Sequence, residues 1–307
     1  MALSVLITGA SGFAGRHVCA LIGAQPDRPR VYGVDVVEPS HQNCDWFCMA
    51  DVSDGNAVAE VVKRTAPDYI VHLAGVFGAR DTQEIFRTNI LSMTALMEAV
   101  RKHSPHAVVV AAGSAAEYGV ASEDLMPIVE SMPCFPASPY GLSKLVATEI
   151  ALHYFRAYGV QVSIVRPFQL LGKGISPRLA PGAFAAKLTE AIAAGREMIY
   201  VGNLDSTRDF VDVDDFAEAI WALCLCPAPG EVFNVCSGDG VRIGSLLEDM
   251  IKASGAKVSW ERDPTRIRGQ ADVSVMVGDF RKIEGHCGWR PNRDLQQSIK
   301  MMFESEA

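Results

Sequence analysis

The chain has 307 residues, 49% of them apolar, which is enough for a large core and argues against disorder. It carries 28 basic and 36 acidic residues, a formal charge of −8, so it has no general attraction for nucleic acid or an anionic membrane surface. A polyanionic small ligand would therefore need a few locally placed Arg or Lys side chains.

In chain order, residues 3–8 read as a buried strand, 13–23 as a helix and 31–35 as a strand. Helix is expected over 57–65, strand over 69–72, a long helix over 82–103 and strand over 107–112. A second long helix over 139–158 leads to a strand over 161–166. This alternation implies parallel strands joined by crossover helices, an α/β fold with a Rossmann-type doubly wound parallel sheet. The rhythm changes after Pro167, where Gly172, Gly174, Pro177, Pro181 and Gly182 mark a loop-rich stretch. Helices over 184–194, 213–225, 243–253 and 293–303 then alternate with strand pieces at 198–201 and 232–234. The expected division is a first domain over 1–167, with 203–226 packing back on it, and a smaller helix-rich lobe over 168–307. The eight cysteines are scattered without a CxxC, so no metal site is expected and the thiols read as reduced, in a cytoplasmic protein. The start, Met1-Ala2-Leu3-Ser4 running straight into Val5-Leu6-Ile7, lacks the layout of a signal peptide, and no stretch has the length of a membrane span.

Between the first strand and the first helix lies Thr8-Gly9-Ala10-Ser11-Gly12-Phe13-Ala14-Gly15, a GxxGxxG turn in the context that a phosphate-binding loop requires. Gly9 permits the tight turn, Gly12 the approach of a pyrophosphate, and Gly15 close helix–strand packing. Phe13 and Ala14 open the helix, whose N–H groups and dipole favour the phosphates. Asp35 ends the second strand, where an acidic side chain accepts hydrogen bonds from the ribose hydroxyls of NAD and repels the 2′-phosphate of NADP. NAD(H) is therefore favoured, with NADP(H) as the alternative. Asp51-Val52 is a candidate adenine contact, against the plainer reading of Asp51 as a turn or cap residue.

Tyr140 and Lys144 are four apart on an expected helix and share a face. A free phenol has a pKa near 10, and a cation one turn away would lower it, so that Tyr140 could exchange a proton with a reacting oxygen. Ser114 follows a strand at the carboxyl edge of the sheet, where ligands of open α/β sheets bind, and its hydroxyl would orient a carbonyl oxygen.

At these residues the chain resembles the extended short-chain dehydrogenase/reductases of the NAD-dependent epimerase/dehydratase family, in the branch acting on nucleotide sugars. The ordered matches include the glycine turn, Asp51-Val52, His72-Leu73-Ala74-Gly75 and Asn89. They continue through Gly113-Ser114-Ala115-Ala116-Glu117-Tyr118-Gly119, Ser138-Pro139-Tyr140-Gly141-Leu142-Ser143-Lys144 and Arg166-Pro167-Phe168. The resemblance implies that Ser114, Tyr140 and Lys144 are the catalytic set and that Lys144 also holds the nicotinamide ribose. It implies further that Leu73, Ala74, Gly75 and Asn89 line the cofactor and that Phe168 lies near the nicotinamide. The second lobe, with 201–213, 233–238, 266–268 and 288–291, resembles GDP-4-keto-6-deoxy-mannose reductases and their dehydratase relatives. This implies that Arg208 and Arg268 clamp a sugar-nucleotide diphosphate, with Lys187 and Gln169 as further substrate contacts; a guanidinium fork suits phosphate oxygens.

The departures are informative. Dehydratases of this family carry acidic side chains just after the catalytic Ser or Thr, whereas here Ala115 and Ala116 stand there and do no acid–base work. Glu117 is one residue out of register. Gln169 stands in place of a common substrate-contacting Asn, and Asp35 differs from the NADP-leaning members. The expected activity is reduction of the 4-keto group of a nucleotide-linked, GDP-type 4-keto-6-deoxy sugar; the alternative is a 4-epimerase with tightly bound NAD. A homodimer is expected too, because residues 82–103 and 139–158 match long helices that relatives pair between subunits. Ile85, Leu96, Val100, Leu145 and Leu152 would supply the apolar faces.

Overall fold

The computed structural model describes residues 3–40, 42–78, 81–263 and 274–304. The run Val5-Leu6-Ile7 lies in β1 (Ser4–Thr8), which is buried along its whole length as a strand covered on both faces must be. Next come α1 (Phe13–Gly23), β2 (Arg30–Asp35), β3 (Trp46–Met49), α2 (Gly55–Thr65) and β4 (Tyr69–His72). They are followed by α3 (Thr82–Phe86), α4 (Ser92–His103), β5 (Val108–Ala112), α5 (Pro139–Tyr158) and β6 (Val162–Pro167). The remainder comprises β7 (Gln169–Leu171), α6 (Ala180–Ala194), β8 (Met198–Val201), β9 (Thr207–Asp212), α7 (Val213–Leu225) and β10 (Val232–Val235). Last are β11 (Gly240–Arg242), α8 (Ile243–Ser254), β12 (Ser259–Arg262), β13 (Val275–Met276), α9 (Arg281–Cys287) and α10 (Leu295–Met301).

The main sheet has seven parallel strands in the order β10-β6-β5-β4-β1-β2-β3, a Rossmann-type order with one further strand beside β6. One apolar layer joins α1 and α7 to the sheet through Val18, Ile22, Phe216 and Ile220. The opposite layer joins α2, α4 and α5 through Val62, Met97, Val100 and Ala151. Both α7 and β10 come from beyond residue 167, and Ile283 of α9 and Trp289 pack into the same layer as α7. The smaller lobe has its own core, with Phe184 and Leu188 of α6 against Leu246 and Met250 of α8. Its sheet centres on β9, paired with β7 and β13 in parallel and with β11 antiparallel.

Local chemistry sets the ends of the helix that matters most. Ser138 caps α5 by accepting from Gly141 N at 3.1 Å, Pro139 opens it, and Gly159 stops it with φ 72°. Four expectations shift. β3 was not foreseen as an element; its residues are mostly half-buried and give no alternating pattern. The helix expected over 82–103 is broken by a π-helical segment, Arg87–Leu91. α6 starts at Ala180, because Pro181 lies in a first turn where its missing N–H is no loss. Ile85, Leu96 and Val100, expected at a subunit interface, are buried within the chain at 6%, 0% and 0% exposure, and Leu96 and Val100 cover the sheet instead.

Candidate active site

The crevice forms where β1, β4 and β5 end. Gly9 turns the chain at φ 75°, and a Cβ there would lie 2.7 Å from Ala74 N, while one on Gly15 would lie 2.0 Å from Gly9 O. Only glycine fits either place. The N-terminus of α1 has no side-chain cap and no acidic residue in its first turn, so its positive end remains for an anion. Phe13 stacks edge-on against His17, at 5.6 Å. Asp35 stands at the end of β2 beside this loop, its carboxylate accepting from Ser11 N at 3.0 Å and Val36 N at 2.7 Å. Asp51 is exposed beyond β3, and its carboxylate accepts from Ser53 N and Oγ at 2.8 and 2.7 Å, bonds that hold its pKa down. Val52 is packed into the core.

Leu73, Ala74 and Gly75 continue from β4. Leu73 N donates to Thr8 O at 3.1 Å, and a Cβ on Gly75 would lie 3.1 Å from Asn89 Oδ1 and 3.7 Å from Lys144 Nζ. Asn89 lies in the π segment and is buried. It accepts from Val76 N at 2.7 Å and donates to Val76 O at 3.1 Å and Ser143 Oγ at 2.9 Å. Ser143 Oγ donates to Tyr140 O at 2.7 Å. Asn89 thus ties the loop after β4 to the catalytic helix.

Ser114 follows β5 and caps a single 3-10 turn, Ala115–Glu117, with its Oγ accepting from Ala116 N at 3.1 Å. Its side chain lies near that of Tyr140, on whose phenol it acts electrostatically. Tyr140 and Lys144 lie one turn apart on α5, and Phe77 sits edge-on to the Tyr140 ring at 5.0 Å. Burial lowers the Lys144 ammonium to about 8, opposed by the Glu117 carboxylate. The Tyr140 phenol moves the other way from the sequence expectation: burial pushes it up, the nearby Ser114 hydroxyl opposes this, and the Glu117 carboxylate adds to it. The phenol is therefore held in its neutral, proton-donating form.

Glu117 does not face the crevice. It is 0% exposed and accepts from Ser114 N at 2.9 Å, Thr148 Oγ1 at 3.0 Å and Arg166 Nε at 2.8 Å. Arg166 in turn lies 4.7 Å over the Tyr118 ring. The Ser-x-x-Glu spacing is the pattern of a capping box, which was readable from the sequence. The partners Thr148 and Arg166, far along the chain, were not. Phe168 is 5% exposed, and its ring packs with Ala115, Tyr118 and Ile128. Its side chain serves this core just past the end of β6.

Beyond β6 the chain enters a cavity of about 320 Å³ lined by Gln169, Phe184, Lys187, Asn203, Arg208 and Phe210, among others. Gln169, Lys187 and Arg208 are thus brought together. Lys187 Nζ donates to Tyr200 O, and Arg208 Nη1 donates to Thr207 O at 2.9 Å. Ser114, Tyr140 and Lys144 do not line this cavity. Gln169 links the two regions, because it lies two residues past the end of β6, whose Val165 O accepts from Gly113 N beside Ser114 at 2.7 Å. Arg268 lies outside the described residues.

The model of the NAD dependent epimerase/dehydratase family matches residues 5–236. The chain belongs to that family. Within it, the chain is 28% identical to the GDP-6-deoxy-D-mannose reductase of Pseudomonas aeruginosa, over 99% of this chain and 97% of that one. Among solved structures, RMD from Pseudomonas aeruginosa complexed with NADPH superposes with a TM-score of 0.85 at 25% identity, covering 98% and 97% of the two chains. The UDP-glucose 4-epimerase of Thermus thermophilus, in complex with NAD, gives 0.86 at 26% identity, covering 98% of each. The chain is an NAD(P)-dependent enzyme of the extended short-chain dehydrogenase/reductase type. Among the described residues no helix is long and apolar enough to cross a membrane, and no group of three or more His, Cys, Asp or Glu side chains could hold a metal ion.

Proposed function

We propose that this family member reduces the 4-keto group of a GDP-linked 4-keto-6-deoxy sugar. The observation that carries the reading is the set of side chains gathered at one edge of the sheet: Tyr140 one turn from Lys144 on α5, with Ser114 just after β5. A ketone reduction needs an acid such as Tyr140 at the oxygen that gains charge.

The cradle suits a nicotinamide dinucleotide, since Gly9 and Gly15 leave no room for a Cβ and α1 offers an uncapped N-terminus. The backbone from Gly9 through Gly12, Phe13, Ala14 and Gly15 would hold the pyrophosphate. Asp35 would face the adenine ribose, which favours NAD(H) over NADP(H), and Asp51-Val52 would flank the adenine. Leu73, Ala74, Gly75 and Asn89 would line the crevice, and Lys144 and Tyr140 would hold the nicotinamide ribose. When bound, the dinucleotide supplies the hydride. Ser114 orients the keto oxygen, Tyr140 gives it a proton, and Lys144 presents positive charge beside the phenol while it is protonated. Arg208 and Lys187 would meet the diphosphate, with Gln169 between them and the catalytic edge. Ala115 and Ala116 carry no acid or base, and Glu117 is bound to Arg166, which speaks against a dehydratase.

The likeness to the Thermus thermophilus epimerase favours a second reading, a 4-epimerase with tightly held NAD. We also propose a homodimer formed across the outer faces of α4 and α5, where Leu145, Ile150 and Tyr154 line an apolar groove. The free thiols suit a reducing, cytoplasmic setting. Incubation with NADH and GDP-, UDP- or dTDP-linked 4-keto-6-deoxy sugars tests the main reading. NADH should be consumed with the GDP-sugar in preference to the others; no consumption with any of them would overturn it.

A further inference from the structure

We propose that His72 is a positioning residue that holds the cofactor floor in register with the catalytic helix, through Thr8 on one side and Ser92 on the other. The inference rests on the reading that the crevice binds a dinucleotide.

His72 ends β4 directly opposite Thr8, the last residue of β1 before the glycine turn. It is 2% exposed, on a strand whose Ile70 packs into the apolar layer shared with α2, α4 and α5. An imidazole in such a place is costly unless its nitrogens are bonded. Both are. Nδ1 lies 2.7 Å from Thr8 Oγ1 and Nε2 lies 3.4 Å from Ser92 Oγ. One arrangement satisfies every group: Ser92 gives its one hydroxyl proton to Asn89 O at 3.4 Å and accepts from His72 Nε2–H. Nδ1 is then bare and accepts from Thr8, whose Oγ1 receives Ala74 N–H at 3.4 Å. Burial and the nearby charge of Lys144 press the imidazole down to about 3, so it stays neutral in this arrangement.

The result is one polar string beneath the crevice. Ala74, a floor residue, donates to Thr8, Thr8 to His72, His72 to Ser92, and Ser92 to Asn89. Asn89 then reaches Ser143, which bonds the carbonyl of Tyr140. The string runs through the π segment, a widened helical turn often found at functional sites. Its Thr8 arm governs the cofactor floor, and its Ser92 arm governs the catalytic helix.

The two arms are separable by substitution. His72→Phe keeps a flat ring, slightly larger, and breaks both arms. NADH Kd, read by fluorescence titration, should rise about tenfold, and kcat at saturating NADH should fall about ten- to a hundredfold, the usual effect of small misplacement. His72→Asn keeps an acceptor for Thr8 but does not reach Ser92, so it should restore the NADH Kd while kcat stays low. Ser92→Ala, a mild change that tests one arm even where His72→Phe fails to fold, should lower kcat with NADH Kd unchanged. Melting curves run alongside. Loss of melting temperature in His72→Phe with unchanged Kd and kcat would make His72 merely structural and overturn the proposal. Wild-type kcat in both Ser92→Ala and His72→Asn would do the same. NADH titration needs no sugar nucleotide, so the cofactor arm is decided even where every keto-sugar proves inert and the proposed activity fails.

Discussion

Replacing Glu117 by Gln separates a supporting role from a chemical one. The side chain is 0% exposed and its partner Arg166 is 6% exposed, with Nε 2.8 Å from Oε2. The amide keeps the shape, and its oxygen can still accept from Ser114 N and Thr148 Oγ1. Its NH₂, however, meets the Arg166 N–H donor to donor and leaves the guanidinium buried without a counter-charge. Removing one partner of a buried pair costs about 3–5 kcal/mol. The Tyr118 face, 4.7 Å from the Arg166 cation, offsets roughly 1–2 kcal/mol of that. For a chain of 307 residues, a net loss of about 2–3 kcal/mol corresponds to a fall in melting temperature of roughly 3–5 °C. The neutral amide oxygen holds Ser114 N more weakly than the carboxylate does, and kcat should drop about tenfold. Calorimetry and turnover, measured on the same preparation, give both quantities. An unchanged melting temperature with turnover abolished would mean that Glu117 exchanges protons with substrate, and the account of the site would be wrong.

Three further outcomes are expected. kcat/KM for NADH, which reports the free enzyme, should fall with an alkaline limb near pH 8, because Lys144 is charged below that pH and neutral above it; a profile flat to about pH 10 would contradict this. NADH should be used with higher kcat/KM than NADPH, and Asp35→Ala should narrow the ratio by removing the repulsion of a 2′-phosphate; a wild-type preference for NADPH would show that Asp35 serves only the glycine loop. Arg208→Ala should raise the KM for the sugar nucleotide about ten- to a hundredfold, the loss of a charge-assisted hydrogen bond worth about 1.5–3 kcal/mol, with NADH Kd unchanged. A KM within twofold of wild type would assign the arginine to its bonds with Thr207 and Ser274.

The parallel sheet was legible because its strands are short apolar runs and its crossovers carry strong local signals, such as Ser138-Pro139 at one end of α5 and Gly159 at the other. The glycine turn was legible because each glycine meets a steric demand along a few consecutive residues. The tertiary consequences were not. Glu117 and Arg166 are 49 residues apart, and no local pattern shows that a carboxylate is buried against a guanidinium. The apolar faces of the two long helices look alike whether they cover a sheet or a second subunit; Leu96 and Val100 proved to cover the sheet. The i, i+4 spacing of Tyr140 and Lys144 placed them together. The direction of the phenol's shift depended on how deeply the ring lies and on Glu117 behind it, neither of which spacing records.

Isotope tracing tests the central claim most directly. The enzyme is given a GDP-linked 4-keto-6-deoxy sugar and NADH deuterated at nicotinamide C4, on each face in turn, and the product is read by mass spectrometry and NMR. The account predicts that one of the two labels is delivered quantitatively to C4 of the sugar, with one NADH oxidised per product and about a hundredfold slower delivery by Tyr140→Phe. An unlabelled C4-inverted sugar nucleotide formed from a hydroxylated one, with no added NADH consumed, would contradict it and identify an epimerase.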